Sequence, residues 1–328
     1  MLELRNPDAP VVASEAPAWK RKDLLDTDTL TAEEVAMIME TAEAMREIRS
    51  RPVGKVATLR GATVVTLFYE QSTRTRASFE VAGKALGADV VNLTASGSSV
   101  EKGETLIDTV RTLEAIGADL VVMRHGKSGA PYLAARNTSA GIINGGDGTH
   151  AHPTQALLDL FTMRRHVGEV QGKKVAIIGD VLHSRVARSN LWTLLAAGAD
   201  VTLCGPATLL PRTLAGSAET ANCIVTSRIE EALEGADIVM ALRMQKERQD
   251  KGLIPSLREY IALYQINAKR LQLAKPGALV MHPGPMNEGI EISPEVAHGM
   301  ASVIEEQVAN GVAVRMAVLY LMATGRNA

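Results

Sequence analysis

Short apolar runs alternate with helical segments along the whole chain, and this alternation constrains the fold more than any other feature. The runs are rich in β-branched residues, as buried strands are. Consecutive strands separated by helices pair in parallel, because a helical crossover returns the chain to the end of the sheet at which the previous strand began. We therefore predict an α/β fold in which parallel sheets are flanked by helices. The strand candidates are 62–69, 89–93, 119–123, 141–144, 174–180, 201–204, 222–226, 236–242 and 278–281.

The length of the chain predicts two domains, each with its own parallel sheet. Its 328 residues exceed the roughly 250–300 at which single cores usually split. One helix at 152–166 is expected to bridge the two sheets. Two last helices, at 301–309 and 312–323, are expected to pack back on the first domain. The expected units are a flexible arm at 1–18, a first domain at 19–153 plus 302–328, and a second domain at 154–301.

Polar clusters follow the predicted strands, at the place where ligands bind in open parallel sheets. Ser72-Thr73-Arg74-Thr75-Arg76 follows the first strand and begins a helix that ends at Gly87. Helix-start amides and two guanidiniums suit an anion such as phosphate, although an ordinary cap with solvated arginines is the alternative. Because the other clusters fall at equivalent positions, we expect one site in the cleft between the domains. These clusters are 96–104, 124–125, 145–155, 183–185, 243–248 and 282–285.

Composition excludes several classes of protein. Aromatic residues make up only 3% of the chain and the formal net charge is −2, so we expect no nucleic-acid binding. No secretory signal is visible, and no apolar run approaches the ~18–20 residues of a membrane span, so we expect no membrane contact. Cys204 and Cys223 form neither a disulfide framework nor a metal pair, which is typical of the reducing cytoplasm.

Two local patterns suggest a cofactor, but neither is complete. His150 and His152 lie two positions apart, yet with Asp147 they do not complete a zinc site. Gly179-Asp180 follows a strand, as in a nucleotide-binding fold, but the G-x-G-x-x-G motif is missing. We therefore expect neither a metal nor an organic cofactor.

Several of these clusters resemble the motifs of the transcarbamoylase family in order and spacing. The resemblance extends from about residue 19 to the C-terminus. The segment at 243–248, with the pattern Arg-x-Gln-x-Glu-Arg, resembles the aspartate branch of the family, and the loop of the ornithine branch is missing. The motifs are Ser72-Thr73-Arg74-Thr75-Arg76, Lys102-Gly103-Glu104-Thr105, Met123-Arg124-His125, His152-Pro153-Thr154-Gln155, Arg243-Met244-Gln245-Lys246-Glu247-Arg248 and His282-Pro283-Gly284-Pro285.

The resemblance implies transfer of the carbamoyl group of carbamoyl phosphate to the α-amine of L-aspartate, a step of pyrimidine biosynthesis. It also implies that the first domain binds carbamoyl phosphate and that the second domain binds aspartate. The implied catalytic residues are Thr75, Arg124 and His152. The implied ligands of carbamoyl phosphate are Ser72, Thr73, Arg74, Thr75, Arg124, His152, Gln155, Gly284 and Pro285, and those of aspartate are Lys102, Arg185, Arg243 and Gln245.

The resemblance further implies a homotrimer with shared active sites. Ser98 and Lys102 would reach into the site of the neighbouring subunit. Relatives pair with regulatory subunits, with a dihydroorotase-like partner or with neither, and the sequence does not choose among these. Two other functions stay open as alternatives: a carbamoyl transferase for another amino acid, and a catalytically silent assembly subunit of the same fold.

Three positions depart from the pattern of relatives. Val186 stands where some have threonine, Gly284 where others have leucine, and Glu288 where a common variant has arginine. These departures concern the geometry of two loops rather than the reaction. The Gly284-Pro285 bond is a candidate for the cis form, since cis peptides are essentially confined to X-Pro bonds.

Overall fold

The structure of the chain, a computed structural model, describes residues 19–94, 104–211, 220–245 and 252–325. Its first sheet has four strands in the order β2-β1-β3-β4, and every neighbouring pair runs parallel. The strands coincide with the first four predicted runs to within a few residues. They are β1 (Thr63–Phe68), β2 (Asp89–Thr94), β3 (Leu120–His125) and β4 (Gly141–Asp147).

The second sheet has five strands in the order β7-β6-β5-β8-β9, again all parallel. The predicted α/β fold with two parallel sheets is therefore confirmed. Because parallel strands end at the same edge of a sheet, the loops that follow them gather at one side. The strands are β5 (Lys174–Ile178), β6 (Asp200–Cys204), β7 (Cys223–Thr226), β8 (Ile238–Ala241) and β9 (Leu279–Met281).

Helices connect the strands and cover both sheets. The first begins at a capping box, in which Thr31 Oγ1 accepts from the Glu34 amide (3.2 Å) and Glu34 Oε2 accepts from the Thr31 amide (2.9 Å). The helices are α1 (Ala32–Ser50), α2 (Thr73–Ala85), α3 (Leu106–Ala115), α4 (Ala130–Ala135), α5 (Pro153–Val167), α6 (Arg185–Ala196), α7 (Ile229–Leu233), α8 (Leu257–Tyr264), α9 (Ala268–Leu271), α10 (Pro294–Ala297) and α11 (Ile304–Gly325). A 3₁₀ turn lies at Ala207–Leu209.

Helix α5 joins the two sheets, as predicted for residues 152–166. It packs against α1, α6 and α11. Its apolar residues, among them Leu157 and Leu160, are buried in one continuous core with Val64 of the first sheet and Ile177 of the second. The two sheets therefore share a core through this helix. The shared core holds the sheets in place on either side of the cleft.

The prediction of two C-terminal helices is wrong, because α11 is continuous from Ile304 to Gly325. The two predicted helices were separated at Asn310-Gly311. In the structure the helix continues through these residues, and Gly311 allows close packing instead. A Cβ there would lie 2.6 Å from Arg315 Nη1 and 3.1 Å from Leu158 Cδ2. A glycine in the helix thus makes room for a buried guanidinium.

Helix α11 is also long and apolar enough to cross a membrane by length and composition alone, which the sequence reasoning did not foresee. Most of it is buried, and it packs against α1, α2 and α5. A buried core helix passes the same test of length and composition. Helices α1 and α2 belong to the predicted first domain and α5 to the predicted second, so the domain boundaries stay a prediction.

Candidate active site

A cavity of about 850 Å³ opens where the carboxyl ends of the two sheets face each other. It gathers predicted residues from loops that are far apart in the chain. The predicted residues that line it are Ser72, Thr73, Arg74, Thr75, Arg124, His152, Gln155, Arg185, Arg243, Gln245, Gly284 and Pro285. Ser98, Lys102 and Lys246-Glu247-Arg248 lie outside the described residues, as does the arm at 1–18.

The start of α2 forms one wall of the cavity. Ser72 is the N-cap residue, with an extended backbone, and within the described part of the chain its side chain makes no capping hydrogen bond. Its hydroxyl and the first amides of α2 are therefore available to an anion. Burial, together with the charge of Arg243, lowers the pKa of Arg74. The guanidiniums of Arg74, which follows the first sheet's β1, and Arg243, which follows the second sheet's β8, thus lie in the same cavity. Two positive charges so placed suit an anion.

The loop after β9 closes tightly on Arg74. Gly284 has a φ of +61°, and a Cβ at this position would collide with the Arg74 guanidinium. Its amide donates to His282 Nδ1 (2.7 Å), and the Gly284-Pro285 bond is cis. The positive φ and the position of the Arg74 guanidinium both favour glycine over a larger residue here, which gives the departure at position 284 a structural reason.

Glu70 forms ion pairs with Arg124 and Arg185 in the cavity. Its Oε2 lies 3.2 Å from Arg185 Nη1 and 3.4 Å from Arg124 Nε. Arg124 Nη1 also donates to the Gly145 carbonyl (3.2 Å), and Arg185 Nη1 donates to the Gly148 carbonyl (3.1 Å). Sequence reasoning missed Glu70, although it lies directly between the first strand and the arginine cluster.

His152 is the N-cap residue of α5 and is only 4% exposed. Its amide donates to Ser189 Oγ (2.9 Å). Burial lowers the pKa of His152 well below its usual range, and the charges of Arg185 and Arg124 act in the same direction. The imidazole is therefore neutral and offers one N–H as a hydrogen-bond donor.

The second sheet supplies Arg243 and Gln245 after β8. Arg243 Nη1 lies 3.4 Å from Gln245 Oε1, and the Gln245 amide lies 3.4 Å from Asp180 Oδ2. Asp180 also bonds His183 Nδ1 at 2.8 Å. Val186 lines the cavity directly after Arg185, so the residue that departs from the threonine of some relatives faces the site. Buried Asp180 therefore links the loop that follows β5 to the loop that follows β8.

Comparison with known proteins identifies the family of the chain. Residues 22–165 match the family model of the aspartate/ornithine carbamoyltransferase carbamoyl-P binding domain, and residues 171–322 match that of the Asp/Orn binding domain. The chain belongs to the aspartate/ornithine carbamoyltransferase family. A relative from Roseiflexus sp. (strain RS-1), described as an aspartate carbamoyltransferase catalytic subunit, is 59% identical over 309 residues, which are 93% of this chain and 97% of the relative.

Solved carbamoyltransferases share the fold. Aspartate transcarbamoylase from Trypanosoma cruzi, in complex with carbamoyl aspartate and phosphate, superimposes with a TM-score of 0.83 at 31% identity, covering 94% of this chain and 98% of that one. Ornithine carbamoyltransferase from Pyrococcus furiosus also gives 0.83, at 29% identity, covering 93% and 97%. Since both branches superimpose equally well, the fold alone does not distinguish the acceptor.

This carbamoyltransferase also lines its cavity with residues that the sequence reasoning did not select. Gln307 and Arg315 come from α11, and Ser78 comes from α2. Arg315 Nη1 donates to Ser78 Oγ (2.9 Å), and its guanidinium lies 5.2 Å from the centre of the Phe79 ring. Gln307 and Arg315, spaced eight apart in a mostly apolar helix, were the available signal. Among the described residues, no group of three or more His, Cys, Asp or Glu side chains could hold a metal ion.

Proposed function

We propose that the chain transfers the carbamoyl group of carbamoyl phosphate to the α-amine of L-aspartate, giving N-carbamoyl-L-aspartate and phosphate. One observation carries this proposal. A single cavity joins the anion-binding start of α2 to Arg185 and Arg243 of the second sheet. A phosphorylated donor and a dicarboxylate acceptor carry charges of the same sign. Cations on both walls would hold these substrates side by side against their repulsion.

The donor would bind at the first wall. Ser72, Thr73, Arg74 and Thr75 would hold the phosphate group through side chains and helix amides. Gly284 and Pro285 would border it from the other sheet, where a Cβ at position 284 would collide with the Arg74 guanidinium. Bidentate guanidinium geometry suits phosphate oxygens better than an ammonium group does.

The carbamoyl carbonyl would be polarised by Thr75, Arg124 and His152. As the amine attacks, the C–N bond forms and negative charge grows on this oxygen, and the bond from carbon to the phosphate oxygen then breaks. Preorganised donors at such an oxygen contribute about 3–4 kcal/mol each in comparable sites. His152 acts here as a neutral donor, since burial and neighbouring arginines disfavour its protonation.

No covalent intermediate with the protein is needed. The α-amine attacks in its neutral form, and the departing phosphate takes the proton that the amine loses. The protein then has to position and polarise the reactants rather than exchange protons with them. Gln155, which lines the cavity beside His152, would orient the carbamoyl amine.

The residues that line the cavity on the side of the second sheet favour aspartate over another acceptor. Arg185 and Arg243 would each grip a carboxylate of aspartate, with Gln245 assisting. Among the described lining residues, Glu70 is the only carboxylate, and it already contacts Arg124 and Arg185. A second ammonium group, as on ornithine, would therefore find no anion of its own on these walls.

The test is product formation by the purified chain. We expect N-carbamoyl-aspartate from carbamoyl phosphate and aspartate, and no product when ornithine replaces aspartate. Arg243→Met should abolish the reaction with aspartate, whereas Arg258→Met, on α8 and away from the cavity, should not. Product from ornithine alone would establish the other acceptor, and the absence of product from either would favour a silent assembly subunit.

We further propose a homotrimer in which Ser98 and Lys102 complete the site of the neighbouring subunit. Lys102 belongs to the family motif at 102–105, Ser98 precedes it in the same polar cluster of the sequence, and both lie outside the described residues. Lys102→Ala and Arg74→Ala chains should each be inactive alone. Mixed trimers should regain part of the activity, because some interfaces then hold one intact site. Verified mixed trimers without any rescue would contradict sharing.

We also propose that the enzyme is cytoplasmic. Cys204 and Cys223 are both free and buried, so nothing in the described residues relies on an oxidising compartment. Burial raises the pKa of Cys204 to about 12 and that of Cys223 to about 11, which keeps both thiols protonated and unreactive. A regulatory or dihydroorotase-like partner remains a proposal, and the size of the native assembly in lysate would test it.

A further inference from the structure

A buried carboxylate lies directly behind the donor site. Asp159 is on α5, one turn after Gln155, and it is fully buried. Its oxygens accept hydrogen bonds from the side-chain amides of three residues on three helices. Oδ1 accepts from Gln155 Nε2 (3.0 Å) and Gln307 Nε2 (2.7 Å), and Oδ2 accepts from Asn190 Nδ2 (2.9 Å).

The charge of this carboxylate fixes the direction of all three bonds. An ionised carboxylate only accepts hydrogen bonds, so each amide must present its nitrogen to Asp159 and its oxygen elsewhere. The Gln307 amide illustrates this independently, because its Oε1 accepts from the His282 amide at 3.0 Å. Asp159 therefore orders the amide of Gln307 and, through it, the start of the loop that carries Gly284.

Gln155 and Gln307 both line the cavity, and Gln307 Oε1 already accepts from the His282 amide. This leaves the amide of Gln155 to contact the donor. With Nε2 committed to Asp159, its remaining polar atom is Oε1, an acceptor. A carbamoyl group ends in an amine, which donates hydrogen bonds, whereas an acetyl group of the same shape ends in a methyl. An acceptor at this place would favour the first and gain nothing from the second.

We propose that Asp159 is a positioning residue that fixes the amide of Gln155 with its oxygen toward the donor, so that the site selects carbamoyl phosphate over acetyl phosphate. This inference rests on the proposed function, whose donor site contains Gln155. Desolvation raises the pKa of Asp159 to about 6, and the positive charge of Arg315 on α11 opposes this rise. Measurements at pH 8 therefore report on the ionised carboxylate.

The test compares dissociation constants of acetyl phosphate and carbamoyl phosphate for wild type and variants at pH 8. Asp159→Leu keeps the branched shape but removes the acceptor, and Gln155→Met removes the amide. We expect each to lower the preference for carbamoyl phosphate about tenfold, the usual worth of one hydrogen bond. The double variant should lower it no further, because both changes remove the same interaction.

Two further variants separate positioning from general stability. Asp159→Asn should keep the preference: its oxygen can face the two glutamines while its nitrogen faces Asn190. Within the described ranges, Asn190 Oδ1 is buried without a donor and can turn to accept that nitrogen. Asn190→Leu also disturbs this buried set but leaves Gln155 bonded to Asp159. It should therefore lower the melting temperature and leave the preference unchanged.

The outcomes are distinct. If wild type shows no preference for carbamoyl phosphate and makes no carbamoyl-aspartate, the proposed function fails. If wild type has both properties and Gln155→Met loses the preference while Asp159→Leu keeps it, only this inference is overturned. If Asp159→Leu does not fold, a neutron structure of the wild type decides, since it distinguishes nitrogen from oxygen. Gln155 oxygen facing Asp159 would then refute the inference.

Discussion

Glu70 Oε2 lies 3.2 Å from both Nη1 and Nη2 of Arg185, and this contact spans the cleft between the two sheets. The arginine is 5% exposed, so its charge depends on a neighbouring anion. Glu70→Gln removes that anion, while Arg185 stays close to the positive charge of Arg124. We expect the KM for aspartate to rise at least about tenfold, as is usual when a charged hydrogen bond is lost.

Steady-state kinetics with aspartate varied at saturating carbamoyl phosphate would measure this effect. Glu80→Gln is the matched control, since Glu80 pairs with Lys84 on the surface of α2, where an ion pair contributes little. An unchanged KM in Glu70→Gln would show that Arg185 is held without the carboxylate.

His152 should impose a pH dependence on stability. Its pKa is well below the usual value in the folded enzyme, while the unfolded chain titrates near about 6.5. Below that pH the unfolded state binds a proton that the folded state does not bind. The free energy of unfolding therefore falls as the pH drops, by about 1 kcal/mol between about pH 7.5 and 5.5 from this residue.

His152→Gln lacks this contribution. Urea unfolding at several pH values should show that the variant loses less stability than wild type over the same range, since the other histidines contribute equally to both. Parallel curves for the two proteins would mean that His152 accepts a proton in the folded state.

Arg74 should matter for anion binding more than for folding. Burial and the nearby Arg243 charge lower its pKa, so its cationic form is destabilised unless an anion binds beside it. Inorganic phosphate should raise the melting temperature of wild type, because a ligand that binds only the folded state stabilises it, by about 2.7 kcal/mol at a hundredfold excess over Kd.

In Arg74→Met we expect the phosphate effect to disappear while the melting temperature without phosphate stays equal or rises. Arg60→Met, an exposed arginine outside the cavity, should keep the full phosphate effect. Phosphate stabilisation of the Arg74 variant equal to that of wild type would place the anion elsewhere.

Gly311→Ala should destabilise the enzyme although alanine is the better helix former. In an exposed helix this change stabilises by about 1 kcal/mol. Here the new Cβ would lie 2.6 Å from Arg315 Nη1, so the guanidinium has to move and the core is overpacked, which costs about 1–3 kcal/mol. Thermal unfolding measures the net effect. Val308→Ala, on the exposed side of the same helix, is the control, and a stabilised Gly311→Ala would contradict the packing argument.

Local patterns in the sequence predicted the local structure well. Apolar runs that alternate with helical segments predicted the strands of both sheets, because this signal depends only on neighbouring residues. The same reasoning failed at Gly311. A glycine that ends a helix and one that admits a buried side chain look alike until the partner, Arg315, is known.

Contacts between distant residues were the part that the sequence could not supply. The resemblance to a family indicated Arg124, His152 and Arg185 as site residues, and the structure brings them to one cavity. Nothing in the sequence paired Glu70 with Arg185, 115 positions later, or Asp159 with Gln307, 148 positions later. Such pairs form only after the sheets have docked, so they depend on the whole fold.

The division of the cavity between two sheets has an evolutionary consequence. Most groups that we assign to the donor lie on loops of the first sheet, and those that we assign to the acceptor lie on loops of the second. A lineage could therefore exchange one amine for another by altering only the second set, while the machinery for the phosphorylated partner stays intact. The equal superposition on solved enzymes for aspartate and for ornithine is what such separate inheritance of the two halves would leave behind.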